Sequence, residues 1–283
     1  MHQKAQTTEV IPSSKRVSKT RKTLANFGRN FYIVFVLLLL FLPIFVLIFY
    51  SFNESRLNVI FTGFTFDWYK NLLANTDLID AFKNTLIIAI SSTIISTILG
   101  TLGAVGLYKF HFKGKSLVDK LLYIPIIIPE IVLGIALLSI FTLAKIELSL
   151  WTVLLAHISF SIPFVITSVR STLYAMPKNI EEAAEDLGAS RWQTFFRVTL
   201  PILAPGIISG ALLAFTLSLD DVVISYFAAG PGTNTLPLYI YSNIKTGISP
   251  DVNALTTIML IITVTALVVG SRFQSKALSR RRR

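Results

Sequence analysis

Between Phe31 and Tyr50 the chain runs for twenty residues without a charged side chain. A helix of that length, at about 1.5 Å per residue, crosses roughly 30 Å of hydrocarbon. Signal-peptide h-regions are shorter, about 7–15 residues, so the run reads as a retained membrane helix. Comparable apolar segments recur at 84–108, 121–143, 149–169, 204–228 and 255–271. A core built from 283 residues cannot hide all of them. Only 14% of the residues are charged, against about 25% in soluble domains, so the bilayer is the expected solvent. The fold class that follows is all-α: a polytopic membrane protein with about six transmembrane helices. The segment 149–169 is the most interrupted, by His157, Ser159, Ser161 and Pro163; polar groups in a span face a bundle interior.

Charge supplies the topology. Residues 1–30 form a basic tail, 31–271 the transmembrane domain, and 272–283 a second basic tail ending in the run Arg280–Arg283, which can touch anionic lipid. With both termini in the cytoplasm, the tails and the loops 109–120 and 170–203 hold 21 of the 26 lysines and arginines. Arg56, Lys70, Lys83, Lys145 and Lys245 remain outside. That skew obeys the positive-inside rule, so the formal net charge of +11 reports orientation in a membrane and no nucleic-acid partner is expected. In the outer segment 51–83, Trp68 and Tyr69 read as an interfacial anchor, and Gly230-Pro231-Gly232 marks a turn.

The chemistry excluded is equally informative. There is no cysteine, hence no disulfide, thiolate or Cys-ligated zinc. His2, His111 and His157 show no metal-ligand spacing. No GxxxxGK[ST] loop is present to cradle ATP. An intramembrane enzyme needs a defined nucleophile, metal or acid–base cluster, and the isolated His157 and the carboxylates do not make one along the sequence. No cofactor is expected on this chain, and it is not expected to be an enzyme.

The most specific stretch is the cytoplasmic loop 177–203, PKNIEEAAEDLGASRWQTFFRVTLPIL. Asn179 can cap a short helix, with Glu182 three residues on as its capping-box partner. Glu181 and Glu182 suit the positive end of that helix, and Gly188 can close it in a left-handed conformation. Ser190, with Gln193 at the matching position, opens a second helix, and Pro201 is expected to break the approach to the fifth span. Glu182-Ala183-Ala184, then Gly188, then Val198-Thr199-Leu200-Pro201 resembles the EAA loop of the permease subunits of type I ABC importers; Val198 stands where that family usually has Ile. The resemblance implies that residues 180–187 form a coupling helix, with Glu182, Ala183, Ala184 and Gly188 serving the contact to an ATPase subunit. It also implies that ATP and magnesium are used by a dimer of that ATP-binding cassette partner.

Three carboxylates fall within the expected spans: Glu130 in the third, and Asp220 and Asp221 in the fifth. Intramembrane carboxylates mark pathways by default. Glu130 is expected near the midplane, roughly 13 Å deep at helical rise. Asp220 and Asp221 are expected in the outer half of their span, about 100° apart around the helix. No lysine or arginine lies in either span to neutralise them. Glu130 also has a structural reading, as a protonated carboxyl bonded to a carbonyl freed by Pro125 or Pro129. Phe141, Phe160 and Tyr226 are aromatic candidates for boxing ammonium groups, with ordinary packing as their plainer role.

Residues 218–258 and 124–138 are similar to the second permease subunit of spermidine/putrescine importers. With the EAA loop, the likeness spans most of 31–270. It implies a polyamine cargo, a homologous permease as partner, an extracytoplasmic solute-binding protein, and a place in the bacterial inner membrane among its lipids. Permeases for iron, thiamine, sulfate or molybdate share the loop and are the alternative cargo classes; an ion-coupled secondary carrier is the alternative of a different kind.

Overall fold

The computed structural model describes residues 19–55, 60–177, 179–243 and 250–280. Expectations for residues 1–18, Arg56, Lys178, Lys245 and 281–283 fall outside the described residues. The chain divides into two units, Met1–Phe49 and Tyr50–Arg283. The first contributes α1 (Lys19–Tyr50), a single helix with Pro43 inside it. Its stretch Gly28–Tyr50 is long and apolar enough to span a membrane.

The second unit opens with a hairpin-like segment closed by an isolated bridge between Asn53 and Phe64. It continues through α2 (Asp67–Asn71), α3 (Thr76–Lys109), α4 (Lys115–Leu122), α5 (Ile124–Ile127), α6 (Glu130–Leu143) and α7 (Leu150–Ala175). Then come α8 (Ile180–Asp186), α9 (Arg191–Thr194), a π-helical turn over Phe195–Thr199, α10 (Leu200–Asp220), α11 (Val223–Ala228), α12 (Leu236–Asn243) and α13 (Pro250–Arg280). Among the described residues no strand forms beyond that bridge; the architecture is all-α.

At the centre, α3, α7 and α10 pack on one another. Lipid tails are as apolar as leucine, so membrane helices associate through close van der Waals packing at small residues. Gly100 of α3 meets Val165 of α7 so closely that a Cβ there would lie 2.7 Å from that side chain. Gly206 and Gly210 of α10 approach Ser168 and Val165 of α7 in the same way. Around these contacts Ala104, Val165, Val169, Leu173 and Leu203 form one buried cluster, and Ile88, Phe141, Val153, Phe160 and Ile224 another.

The second and fourth expected spans stand as α3 and α7. The third does not run straight: Lys115–Ile127 and Glu130–Leu143 meet at a bend of 113°. The cause is Ile128-Pro129. Proline removes an amide donor and drives the residue before it out of the helical region, and Ile128 is extended at φ −73, ψ 138. Glu130 therefore stands in the first turn of α6, and the depth expected from an unbroken helix does not apply. The fifth span also differs. It runs continuously from Arg191 to Asp220 and ends at Asp221, which is extended at ψ 126, well before residue 228. Pro201 does not break its approach: the π-helical turn before it absorbs the missing donor, and the helix carries on. The last expected span lies within α13 (Pro250–Arg280).

Trp68 and Tyr69 are tied to the segment that precedes α2. The Trp68 indole N–H donates to the Asn53 carbonyl at 2.5 Å, and the Tyr69 hydroxyl lies 2.7 Å from Ser51 Oγ. Both pack beside Leu72, Leu78 and Leu255. The turn at Gly230 forms as expected, closed by Thr233 N–H to Gly230 C=O, with Gly232 at φ +72.

Candidate translocation cavity and coupling loop

The two helix breaks face each other. Between the start of α6 and the α10–α11 break lies a cavity of about 330 Å³. Glu130, Asp220 and Asp221 all line it, with Phe160, Phe164 and Leu217 among the apolar walls. Among the described residues no lysine or arginine borders it. The structure thus brings the three sequence-derived carboxylates to one place. Of the aromatic candidates, Phe160 reaches the cavity, Phe141 is buried in the neighbouring cluster, and Tyr226 is exposed.

The two aspartates differ in setting. Asp220 is exposed, whereas Asp221 is buried. The Asp221 carboxylate accepts the N–H groups of Ile224 (3.1 Å) and Ser225 (2.7 Å), capping the first turn of α11. It also lies 3.3 Å from His157 Nε2. Glu130 is exposed at the cavity and makes no side-chain hydrogen bond among the described residues, so the carbonyl-bonded structural reading of that carboxyl finds no partner.

His157 was not tied to any carboxylate by sequence, and here the structure adds a feature. Its ring is fully buried in α7. Nδ1 lies 2.6 Å from Ser218 Oγ of α10, and Nε2 lies 3.1 Å from Ser225 Oγ of α11. Ser92 of α3 donates to Ser218 at 3.0 Å. The chain is self-consistent with the proton on Nε2: Ser92 donates to Ser218, Ser218 to Nδ1, and Nε2–H to Asp221. One polar thread therefore joins α3, α10, α7 and the α11 cap. Its residue types are those of a hydrolase triad, but Ser218 and Ser225 are buried, so no substrate carbon has access to either oxygen. Buried polar groups need such satisfaction, above all away from water.

At the opposite end of the bundle stands the loop with the EAA-like pattern. α8 and α9 form a compact helix–turn–helix. Gly188 sits at φ +89; its N–H donates to Glu185 C=O and that of Ala189 to Ala184 C=O, the paired bonds of a Schellman closure. Ser190 and Gln193 form the expected capping box. Asn179 does not cap: its backbone is at φ −92, ψ 1 and its side chain makes no cap bond, so the Asn179–Glu182 box is absent. Glu181, one residue before the motif, is instead drawn into the bundle. Its carboxylate pairs with Lys109 Nζ at the end of α3 (2.8 Å) and accepts from the Thr199 hydroxyl in the π-helical turn. Glu182 and Ala183 are exposed and Ala184 half-buried, while Leu187 and Trp192 are 90% and 74% exposed. A third tie lies alongside: Arg170, near the end of α7, donates to Asp119 of α4 at 2.7 Å and to Tyr174.

Residues 96–283 match the family model described as binding-protein-dependent transport system inner membrane component. Over 231 residues the chain is 42% identical to the spermidine/putrescine transport system permease protein PotC of Escherichia coli (strain K12), covering 82% of this chain and 88% of that one. It is 39% identical over 228 residues to the putrescine transport system permease protein PotI of the same strain, covering 78% and 81%. Among solved structures, it resembles a chain of a bacterial ABC transporter involved in the import of the acidic polysaccharide alginate, with a TM-score of 0.67 over 89% of this chain and 96% of that one. At 19% identity that likeness is one of fold.

Proposed function

We propose that this chain, which belongs to the family of binding-protein-dependent transport system inner membrane components and is a permease subunit of an ABC importer, carries polyamines into the cytoplasm. The observation that carries the cargo reading is the cavity of about 330 Å³ bordered, among the described residues, by three carboxylates and no lysine or arginine. In a partly dry site an ammonium–carboxylate attraction is several times stronger than in water. Glu130 and Asp220 present exposed carboxylates. Asp221 is committed to His157 and the α11 cap, and on this reading frames the site. Phe160 and Phe164 add aromatic surface for cationic methylene chains. The names of PotC and PotI support the same cargo class.

The partners follow from the same reading. A homologous permease completes the pathway, and an extracytoplasmic binding protein delivers the cargo. A dimer of ATP-binding cassette subunits binds ATP and magnesium and seats α8 in a cleft. Small Ala183 lets a partner backbone come close, Glu182 sets orientation at the rim, and exposed Leu187 supplies apolar contact. Movement of α8 reaches the bundle through Glu181, which holds both α3 and the turn leading into α10. Closure of the ATPase dimer would then swing a two-state bundle between outward and inward access, with both termini in the cytoplasm.

Co-purification of the assembly, followed by cargo-stimulated ATPase measurement with spermidine, putrescine, iron and thiamine, tests the proposal. Stimulation by the polyamines alone is the expected result. Stimulation by iron or thiamine alone overturns the cargo, and uptake that persists without ATP under a clamped ion gradient overturns the ATP-driven class.

A further inference from the structure

The helix α4 is fully amphipathic. At 100° per residue, Leu117, Val118, Leu121 and Leu122 occupy one side, and Lys115, Ser116, Asp119 and Lys120 the other. Leu122 packs against the bundle, but Leu117 and Leu121 are 61% and 51% exposed. The polar side is held inward by Asp119, which pairs with Arg170 of α7. The preceding loop is folded back by Lys115 Nζ, which donates to Phe110 C=O at 3.2 Å, and Gly114 at φ +91 starts the helix. Lys113 and Lys120 remain exposed. A hollow of about 520 Å³ is bordered by His111, Lys115, Asp119, Lys120 and Tyr123.

The 113° bend sets the orientation. With α6 running through hydrocarbon, the α4–α5 run lies close to the membrane plane. Its end of the bundle is fixed too: α4 follows Lys109, the residue that pairs with Glu181 of the coupling loop. On the topology proposed above, that is the cytoplasmic face. A helix in the interface plane, with an exposed leucine stripe on one side and lysines on the other, has the pattern of an interfacial anchor, and the cytoplasmic leaflet is the one that carries anionic lipid.

We propose that α4 is an interfacial helix that binds anionic phospholipid, with Leu117 and Leu121 among the upper acyl chains and Lys113 and Lys120 on the headgroup phosphate. The charge of the hollow selects the lipid class. Asp119 is already neutralised by Arg170, so the net field of the hollow is positive. The site is separate from the cavity at Glu130, and its failure would leave the transport reading untouched.

The chain has no native cysteine, so single labels report cleanly. The full-length chain, with the subunits that co-purify with it, is placed in phosphatidylcholine nanodiscs with or without phosphatidylglycerol. Spin labels at Leu117→Cys and Leu121→Cys should be accessible to oxygen, and one at Ser116→Cys to a water-soluble relaxant. A fluorophore at Leu121→Cys should be quenched better by brominated phosphatidylglycerol than by brominated phosphatidylcholine. Neutralising Lys113→Gln or Lys120→Gln should lower that preference, each by up to about fivefold. Equal quenching by the two lipids overturns the proposal. So does water exposure of both leucine labels, or their protection only when a partner subunit is bound, which would make this face a protein contact.

Discussion

Replacing His157 with alanine removes a side chain that bonds groups on both α10 and α11. The structure sets the size of the effect. Ser218 and Ser225 each lose a partner, worth about 1 kcal/mol apiece. Asp221 loses the Nε2–H donor while its charge remains buried, and a hydrogen bond to a charged group is worth about 1.5–3 kcal/mol. The carboxylate keeps the two backbone N–H groups of the α11 cap, so the lower end applies, and the three losses come to about 3.5 kcal/mol. At about 2–4 °C per kcal/mol for a chain of comparable size, His157→Ala should lower the melting temperature by roughly 7–14 °C. Intrinsic tryptophan fluorescence of the reconstituted chain reads it. Asp221→Asn made in the His157→Ala background should recover part of the loss, because the uncompensated charge is then gone, and the double variant should be more stable than the sum of the singles. A His157→Ala protein that melts with wild type, or a strictly additive double variant, refutes the buried thread.

Four further outcomes are expected. Gly188→Val must hold a β-branched residue at φ +89, a strain of about 1–2 kcal/mol; the protein should insert normally but lose ATPase association in pull-downs. Asp220→Asn should reduce uptake of spermidine more than of putrescine when normalised to inserted protein, with Glu130→Gln in parallel, and wild-type uptake of both cargoes by both variants would remove the anionic pathway. Gly230→Ala drives a methyl group into the Leu148 backbone carbonyl, and should cost about 1–3 kcal/mol, visible as a lower melting temperature. Glu185→Cys should react with impermeant maleimide only from the cytoplasmic side and Asn71→Cys only from outside; reversed labelling refutes the proposed sidedness.

What the sequence determined is local or periodic. Apolar runs long enough to span a bilayer fix an all-α fold, because only helices and closed barrels satisfy every backbone group in lipid. Gly188 and the Ser190–Gln193 pair were legible because a left-handed closure and a capping box are written within a few residues. Glu130, Asp220 and Asp221 were legible one by one, since a carboxylate stands out in an apolar run. Their convergence on one cavity was not, because it depends on two helix breaks meeting in space. Pro129 signalled a disturbance in the third span, yet only packing decided that it becomes a 113° turn while Pro201 is absorbed into a continuing helix. Asn179 shows the reverse: its capping potential goes unused while Glu181 beside it bonds Lys109 and Thr199 from distant helices. His157 and Asp221 lie far apart in sequence and no periodicity links them. Only the packing of α7 against α10 and α11 sets the imidazole 3.3 Å from that carboxylate. A buried polar group must find its partner wherever the fold provides one, and that is decided in three dimensions.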